Sequence, residues 1–300
     1  MLAPVIVGVD GSAESLAAAG WAAREALRRD RKLRLVHAAD SSPRPGHEAS
    51  ASAVQRHLAR RALRQAEEYI REVSPGTRLE DEQIEGPATP ALLRAAEQAD
   101  LLVLGSRGLS GFTGFLVGSV ALGVVAKATR PVVLVRTGEE AADEHLPAQD
   151  GSDSVRTGYR DVVLGVDVAD PCDEVIGFAF EAARLRHARL RVVYAWQAAS
   201  ALGGGPSAVA VVQEPKSAEH WRGFRTDVLP IWREKYPDVD VAETVAQGRP
   251  QSVLVRAGSG ASLLVVGHRL AERPLGPRTG PVTHSVIHHV DCPVAVVPHV

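Results

Sequence analysis

Positions 105–119 carry the residues with the clearest chemical use. Gly105-Ser106-Arg107-Gly108 opens the stretch and Gly118-Ser119 closes it, with Gly111 and Gly114 between. The apolar run Leu101–Leu104 precedes it and reads as a buried strand, and Val120–Lys127 follows and reads as a helix. A glycine-dense turn between a buried strand and a helix start can offer backbone N–H groups to a phosphate. Glycine takes positive φ and leaves no Cβ in the ligand's way. Ser119 falls where an N-cap is expected, and its hydroxyl can serve the helix or a phosphate oxygen. A second reading fits the same residues: an ordinary strand-to-helix connection with flexible glycines.

Other reactive side chains form no comparable pattern. Cys172 and Cys292 make neither a CxxC nor a ligand cluster, so reduced thiols are expected. His284 and His288 are spaced to share a helix face, with His289 beside them, but no cysteine or carboxylate set accompanies them in sequence. They read as surface or helix-end histidines, and no metal site is expected. His37 and His268 read as strand-end polar residues. The chain contains no G-x-S-x-G elbow, no H-E-x-x-H and no Gly-Lys-Ser/Thr. No catalytic residue is therefore expected.

The elements that must position the loop follow from periodicity. Val5–Val9 reads as a first strand, ending at Asp10-Gly11-Ser12, with Ser12 capping an alanine-rich helix to about Arg28. Leu33–Ala38 is a second strand, 49–73 a long amphipathic helix, and Thr77–Glu85 a more polar strand suited to a sheet edge. Pro90 opens a short helix before the strand at Leu101, and Pro131–Val135 is the fifth strand. Such alternation predicts an α/β fold with parallel sheets covered on both faces.

The pattern then repeats. Val162–Asp167 and Leu190–Ala195 restate Val5–Asp10 and Leu33–Ala38 at an offset of 157. Leu263–Gly267 and Pro293–Val297 restate Leu101–Gly105 and Pro131–Val135 at an offset of 162. Registers held across four elements indicate a tandem duplication. Between the copies, 137–158 is polar, acidic at first and without apolar periodicity, and reads as a linker. The expected division is 1–137, a linker at 138–158, and 159–300. In the second copy a helix is expected over 217–235. The short apolar fifth strands, Val132–Leu134 and Val294–Val296, are candidates to pair across a pseudo-twofold.

Composition bounds the partners. The 300 residues are 45% hydrophobic and 23% charged with a net charge of −2, as in a soluble globular protein. Neither nucleic acid nor an anionic membrane is suggested as a partner. No signal peptide or bilayer-length apolar run is present, so a cytoplasmic location is expected.

The Gly105-x2-Gly108-x9-Gly118-Ser119 spacing, joined to the strand end Val9-Asp10-Gly11-Ser12, resembles the universal stress protein family. The closer likeness is to its ATP-binding branch in the tandem two-domain form. The resemblance implies two Rossmann-like, doubly wound domains, each a five-stranded parallel sheet in the order 3-2-1-4-5. In that order winding reverses between strands one and four, and open sheets bind ligands outside the carboxyl ends of strands at such a reversal.

Matching positions implies a nucleotide site. Gly8, Val9, Asp10, Gly11 and Ser12 would line the nucleoside side, and Ala38 would meet the adenine edge. Gly105, Ser106, Arg107 and Gly108 would wrap ribose and phosphates. Gly118, Ser119 and Val120 would hold the phosphate tail, and Asp10 would hydrogen-bond the nucleoside or help to hold Mg²⁺ arriving with ATP.

The second copy departs from this pattern. Gly165, Asp167, Gly267 and Gly280 persist, but Leu270 replaces the middle glycine and Pro281 the serine. Val168-Ala169 replaces Gly11-Ser12, while Arg269, Arg273 and Arg278 keep positive charge nearby. Weak or absent ATP binding is expected there. The resemblance implies a cytosolic, nucleotide-occupied stress-response regulator that holds ATP mainly in its first half, with homodimerisation open. Two alternatives stay open: an adenine-nucleotide-using enzyme, whether a slow ATPase or an adenylating enzyme, and a ligand-free interaction module.

Overall fold

Leu101, Leu102 and Val103 are fully shielded from solvent, as the unbroken apolar run predicts for a strand covered on both faces. In the computed structural model, which describes residues 2–39, 48–106, 117–197, 214–270 and 279–300, this strand sits mid-sheet. The first half runs β1 (Val5–Gly8), α1 (Ala13–Arg28), β2 (Leu33–Ala39), α2 (Glu48–Val73), β3 (Leu79–Glu85), α3 (Ala88–Ala96), β4 (Leu101–Ser106), α4 (Ser119–Val125) and β5 (Val132–Arg136). The second runs β6 (Val162–Gly165), α5 (Asp173–Arg186), β7 (Leu190–Trp196), α6 (Glu214–Gly223), α7 (Leu229–Lys235), β8 (Val241–Gln247), α8 (Pro250–Gly258), β9 (Leu263–Arg269), α9 (Pro281–His289) and β10 (Val294–His299).

Each half is a parallel sheet with its first strand beside its fourth, giving the orders β3-β2-β1-β4-β5 and β8-β7-β6-β9-β10. The two fuse through one antiparallel seam that pairs Val294 with Leu134, Ala295 with Val133 and Val296 with Val132. The apolar fifth strands thus meet inside the chain, and the sheet edges that remain are β3 and β8. Two apolar layers cover the sheet. One runs from Trp21 and Leu35 to Phe180 and Leu190, the other from Ile6 and Leu102 to Leu254 and Leu264.

α1 owes its closeness to the sheet to Ala18, Ala19, Ala22 and Ala23, all fully buried beside Trp21. Ser12 caps it, its Oγ accepting the Ser15 N–H at 3.2 Å. The single helix expected over 217–235 is instead interrupted by a π-turn at Phe224–Val228. Pro230, which has no N–H to donate, follows at the start of α7.

The segment read as a linker folds onto both halves. It contains a 3₁₀ turn, Ala141–Glu144, and Glu144 is fully buried. The Glu144 carboxylate takes Arg24 at 2.7 Å and Arg28 at 2.9 Å. Alongside, Glu25 takes Arg29 at 2.6 Å, Arg28 at 3.1 Å and Arg186 from the other half at 2.8 Å. Burial by itself would raise the Glu25 carboxyl. Arg186, Arg29 and Arg28 outweigh it and hold the group well below the usual carboxylate range.

Candidate functional site

β1 and β4 lie side by side, with Val5, Ile6 and Val7 opposite Leu101, Leu102 and Val103. Their carboxyl ends, at Gly8 and Gly105, therefore reach the same edge of the sheet. α1 leaves β1 on one face and α4 follows β4, so the edge opens into a cleft at the winding reversal. Its volume is about 270 Å³. Gly8, Val9, Asp10 and Ser12 reach it from the end of β1, and Ala38 from the end of β2. Gly105, Gly118, Ser119 and Val120 close the remaining side.

Other expected residues are placed differently. Gly11 does not line the cleft; it makes the β1–α1 turn at φ +84, a backbone state that favours glycine. Ser106 is buried, and its hydroxyl donates to the Val135 carbonyl at 3.1 Å, so its side chain serves the sheet. Ser119 is the first helical residue and Gly118 the cap, leaving the Ser119 side chain exposed. Arg107 and Gly108 lie outside the described residues, as do Arg273 and Arg278.

The reason for glycine at 105 is also structural. A Cβ there would come within 2.6 Å of the Glu14 backbone carbon, because α1 crosses directly over β4. Close helix–strand packing requires the missing side chain, whatever a ligand adds.

Asp10 organises the β1–α1 turn. Its Oδ1 accepts the Ser12 N–H at 3.0 Å and the Ser12 hydroxyl at 2.5 Å. Sequence reasoning gave the cleft one carboxylate; Glu14 in the first turn of α1 is a second. Its position two residues after the Ser12 cap, in the first turn of the helix, was the available signal. Leu92 and Ala88 of α3 supply an apolar wall that sequence reasoning missed. The His37 ring is held away by a 2.8 Å hydrogen bond from Nδ1 to the Val9 carbonyl.

The second half repeats the cleft with a larger volume, about 720 Å³. Gly165 and Asp167 end β6, Tyr194 and Ala195 end β7, and Gly280 and Pro281 open α9. Asp167 accepts the Ala169 N–H at 3.0 Å, echoing Asp10 and Ser12. Arg269 forms an ion pair with Asp170 at the mouth.

Among the described residues, no group of three or more His, Cys, Asp or Glu could hold a metal ion. His288, expected at the surface or at a helix end, lies in the last turn of α9 and is buried, its Nδ1 2.7 Å from the His284 carbonyl. Burial pushes the His288 imidazole down from its ordinary value. Both cysteines are free thiols. No helix among the described residues is long and apolar enough to cross a membrane.

Comparison with known proteins places this geometry. The model of the universal stress protein family matches residues 1–136 and again 158–298. A universal stress protein of Mycolicibacterium smegmatis is 30% identical over 301 residues, covering 98% of this chain and 96% of its own. One from Mycobacterium tuberculosis strain H37Rv is 29% identical over 305 residues, covering 97% and 96%. A solved universal stress protein from Archaeoglobus fulgidus superposes with a TM-score of 0.68 at 16% identity, covering 99% of each chain, a likeness of fold.

Proposed function

We propose, from the premise that the chain belongs to the universal stress protein family, that it is a nucleotide-occupied stress-response regulator holding ATP in its first-half cleft. The observation that carries this reading is convergence. The ends of β1 and β2 and the start of α4 meet at one edge, where the sheet reverses its winding.

The chemistry of the wall supports an adenine nucleotide. Leu92, Ala88 and Ala38 form an apolar surface for a planar base. Asp10 and Glu14 stand where they could accept hydrogen bonds from ribose hydroxyls or help to hold Mg²⁺ with the phosphates. The Gly118-Ser119-Val120 segment lines the cleft and is partly or fully exposed, as a phosphate tail would need. In this role ATP is bound rather than turned over, and Asp10, while its Oδ1 holds the turn through Ser12, keeps its carboxylate at the cleft. Any hydrolysis is slow and incidental.

Calorimetric titration with Mg-ATP tests the reading. Wild type binds, and Ser119→Glu, which sets a carboxylate at the proposed phosphate end, loses affinity at least about tenfold, since like charges repel at short range. Equal binding by both proteins overturns it.

A further inference from the structure

The second cleft keeps the nucleoside half of the first and changes the phosphate half. Resting on the reading of the first cleft as an adenine-nucleotide site, we infer that the second cleft takes an uncharged purine nucleoside in preference to a nucleoside triphosphate.

At the base and ribose end the two clefts correspond. Gly165-Val166-Asp167 stands where Gly8-Val9-Asp10 stands, Ala195 where Ala38 stands, and Leu254 where Leu92 stands. One change favours a base. Tyr194 occupies the register of His37; the His37 ring is tied to the Val9 carbonyl, whereas Tyr194 lines its cleft. The Tyr194 ring is backed by Trp221, 5.6 Å away between centroids with 3° between the planes. A braced aromatic face offers stacking to any planar base. Asp167 offers a carboxylate toward ribose hydroxyls, and about 720 Å³ accommodates a nucleoside.

The other end is arranged against a highly charged tail. Pro281 replaces Ser119, removing both a hydroxyl and a backbone N–H from the start of the helix. The Thr283 hydroxyl, two residues on, donates to the Gly267 carbonyl at 3.0 Å. Asp170 adds a second carboxylate to the cleft, and its ion pair with Arg269 balances the cation there. Asp167 matches Asp10 and does not discriminate; a triphosphate is disfavoured by the Asp170 carboxylate in the cleft lining and by the donors lost at Pro281, since like charges and missing partners exclude a ligand effectively. Asp170 and Arg269 are both more than half exposed, so this pair is dispensable to the fold.

The full chain carrying Ser119→Glu, titrated separately with adenosine and with Mg-ATP, tests the inference. Ser119→Glu leaves the base and ribose wall of the first cleft intact, so the second cleft is read as the adenosine site that Tyr194→Ala weakens, and ATP binds that site at least tenfold more weakly than adenosine. Adding Tyr194→Ala weakens adenosine at least tenfold, while Tyr194→Phe, which keeps the ring and its brace, does not. Adding Asp170→Asn, which releases Arg269, narrows the preference for adenosine at least threefold. The inference is overturned if ATP binds Ser119→Glu as tightly as adenosine does. It is equally overturned by absent adenosine binding, or by adenosine binding indifferent to Tyr194→Ala in a variant whose melting matches wild type. Mg-ATP binding by the wild type is read independently, so failure of the first-cleft reading is seen separately.

Discussion

The Arg186 guanidinium lies 2.8 Å from the Glu25 carboxylate, one residue from each half of the duplicated chain, and both are buried from solvent. This contact links α5 to α1 behind the sheet and adds to the hold of the β5–β10 seam. A buried pair adds little over a well-packed apolar pair, but removing the carboxylate shared by Arg186, Arg29 and Arg28 leaves uncompensated buried charge. Glu25→Ala is therefore expected to destabilise the chain by about 3–5 kcal/mol, measured as a fall in the urea midpoint at neutral pH.

A second prediction concerns pH and the stretch between the halves. The Glu139 carboxyl is pushed up to about 8 by burial, with Asp143 and Glu144 adding to the effect. Its folded value exceeds its unfolded value near 4.5, so the folded state retains a proton that the unfolded state releases. This contribution is full below about pH 4.5, declines as pH rises toward 8, and is flat above. Glu25 acts in the opposite sense: its folded value is lowered, and its contribution is lost as pH falls below about 4.5. Glu139→Gln is expected to raise stability above pH 8 by on the order of 1–3 kcal/mol and to leave it nearly unchanged near pH 5. Denaturation curves across that range check both ends.

Gly105→Ala separates packing from binding. The added Cβ meets the Glu14 backbone, which cannot swing aside as a long side chain could. A loss of about 1–3 kcal/mol is expected from overpacking. The first turn of α1, with Glu14 itself, should shift, as amide chemical shifts there would show without any ligand.

The two serines of the first cleft are expected to behave differently. Ser12→Ala removes the cap of α1 and a partner of Asp10, and should cost about 0.5–2 kcal/mol of stability. Ser119→Ala touches an exposed hydroxyl and should leave the melting temperature unchanged. It should lower Mg-ATP affinity by a factor of about ten to a hundred, the worth of one hydrogen bond to a charged group. Melting curves and titration of both variants check the contrast.

What could be read from the residues follows a physical division. Burial on two strand faces leaves a local trace, so Leu101–Leu104 and its copy Leu263–Val266 were legible, and the repeat then paired the two fifth strands. Partnership across long sequence distance leaves no such trace. Glu144 sits in a polar, acidic stretch with the composition of a linker, because its burial depends on Arg24 and Arg28, well over a hundred residues upstream. Gly105 suggested ligand approach, since nothing nearby in sequence announces the helix backbone that crosses it. Ser106 looked available for the same reason: its partner, Val135, belongs to the neighbouring strand.

The central claim is that an adenine nucleotide sits where the first half's sheet reverses its winding. Backbone amide shifts recorded as Mg-ATP is added to the isotope-labelled full chain test it most directly. The account predicts saturable shifts at Gly8, Asp10, Ala38, Ser119 and Val120. Saturation without movement at these amides, or no shifts at all, would contradict it.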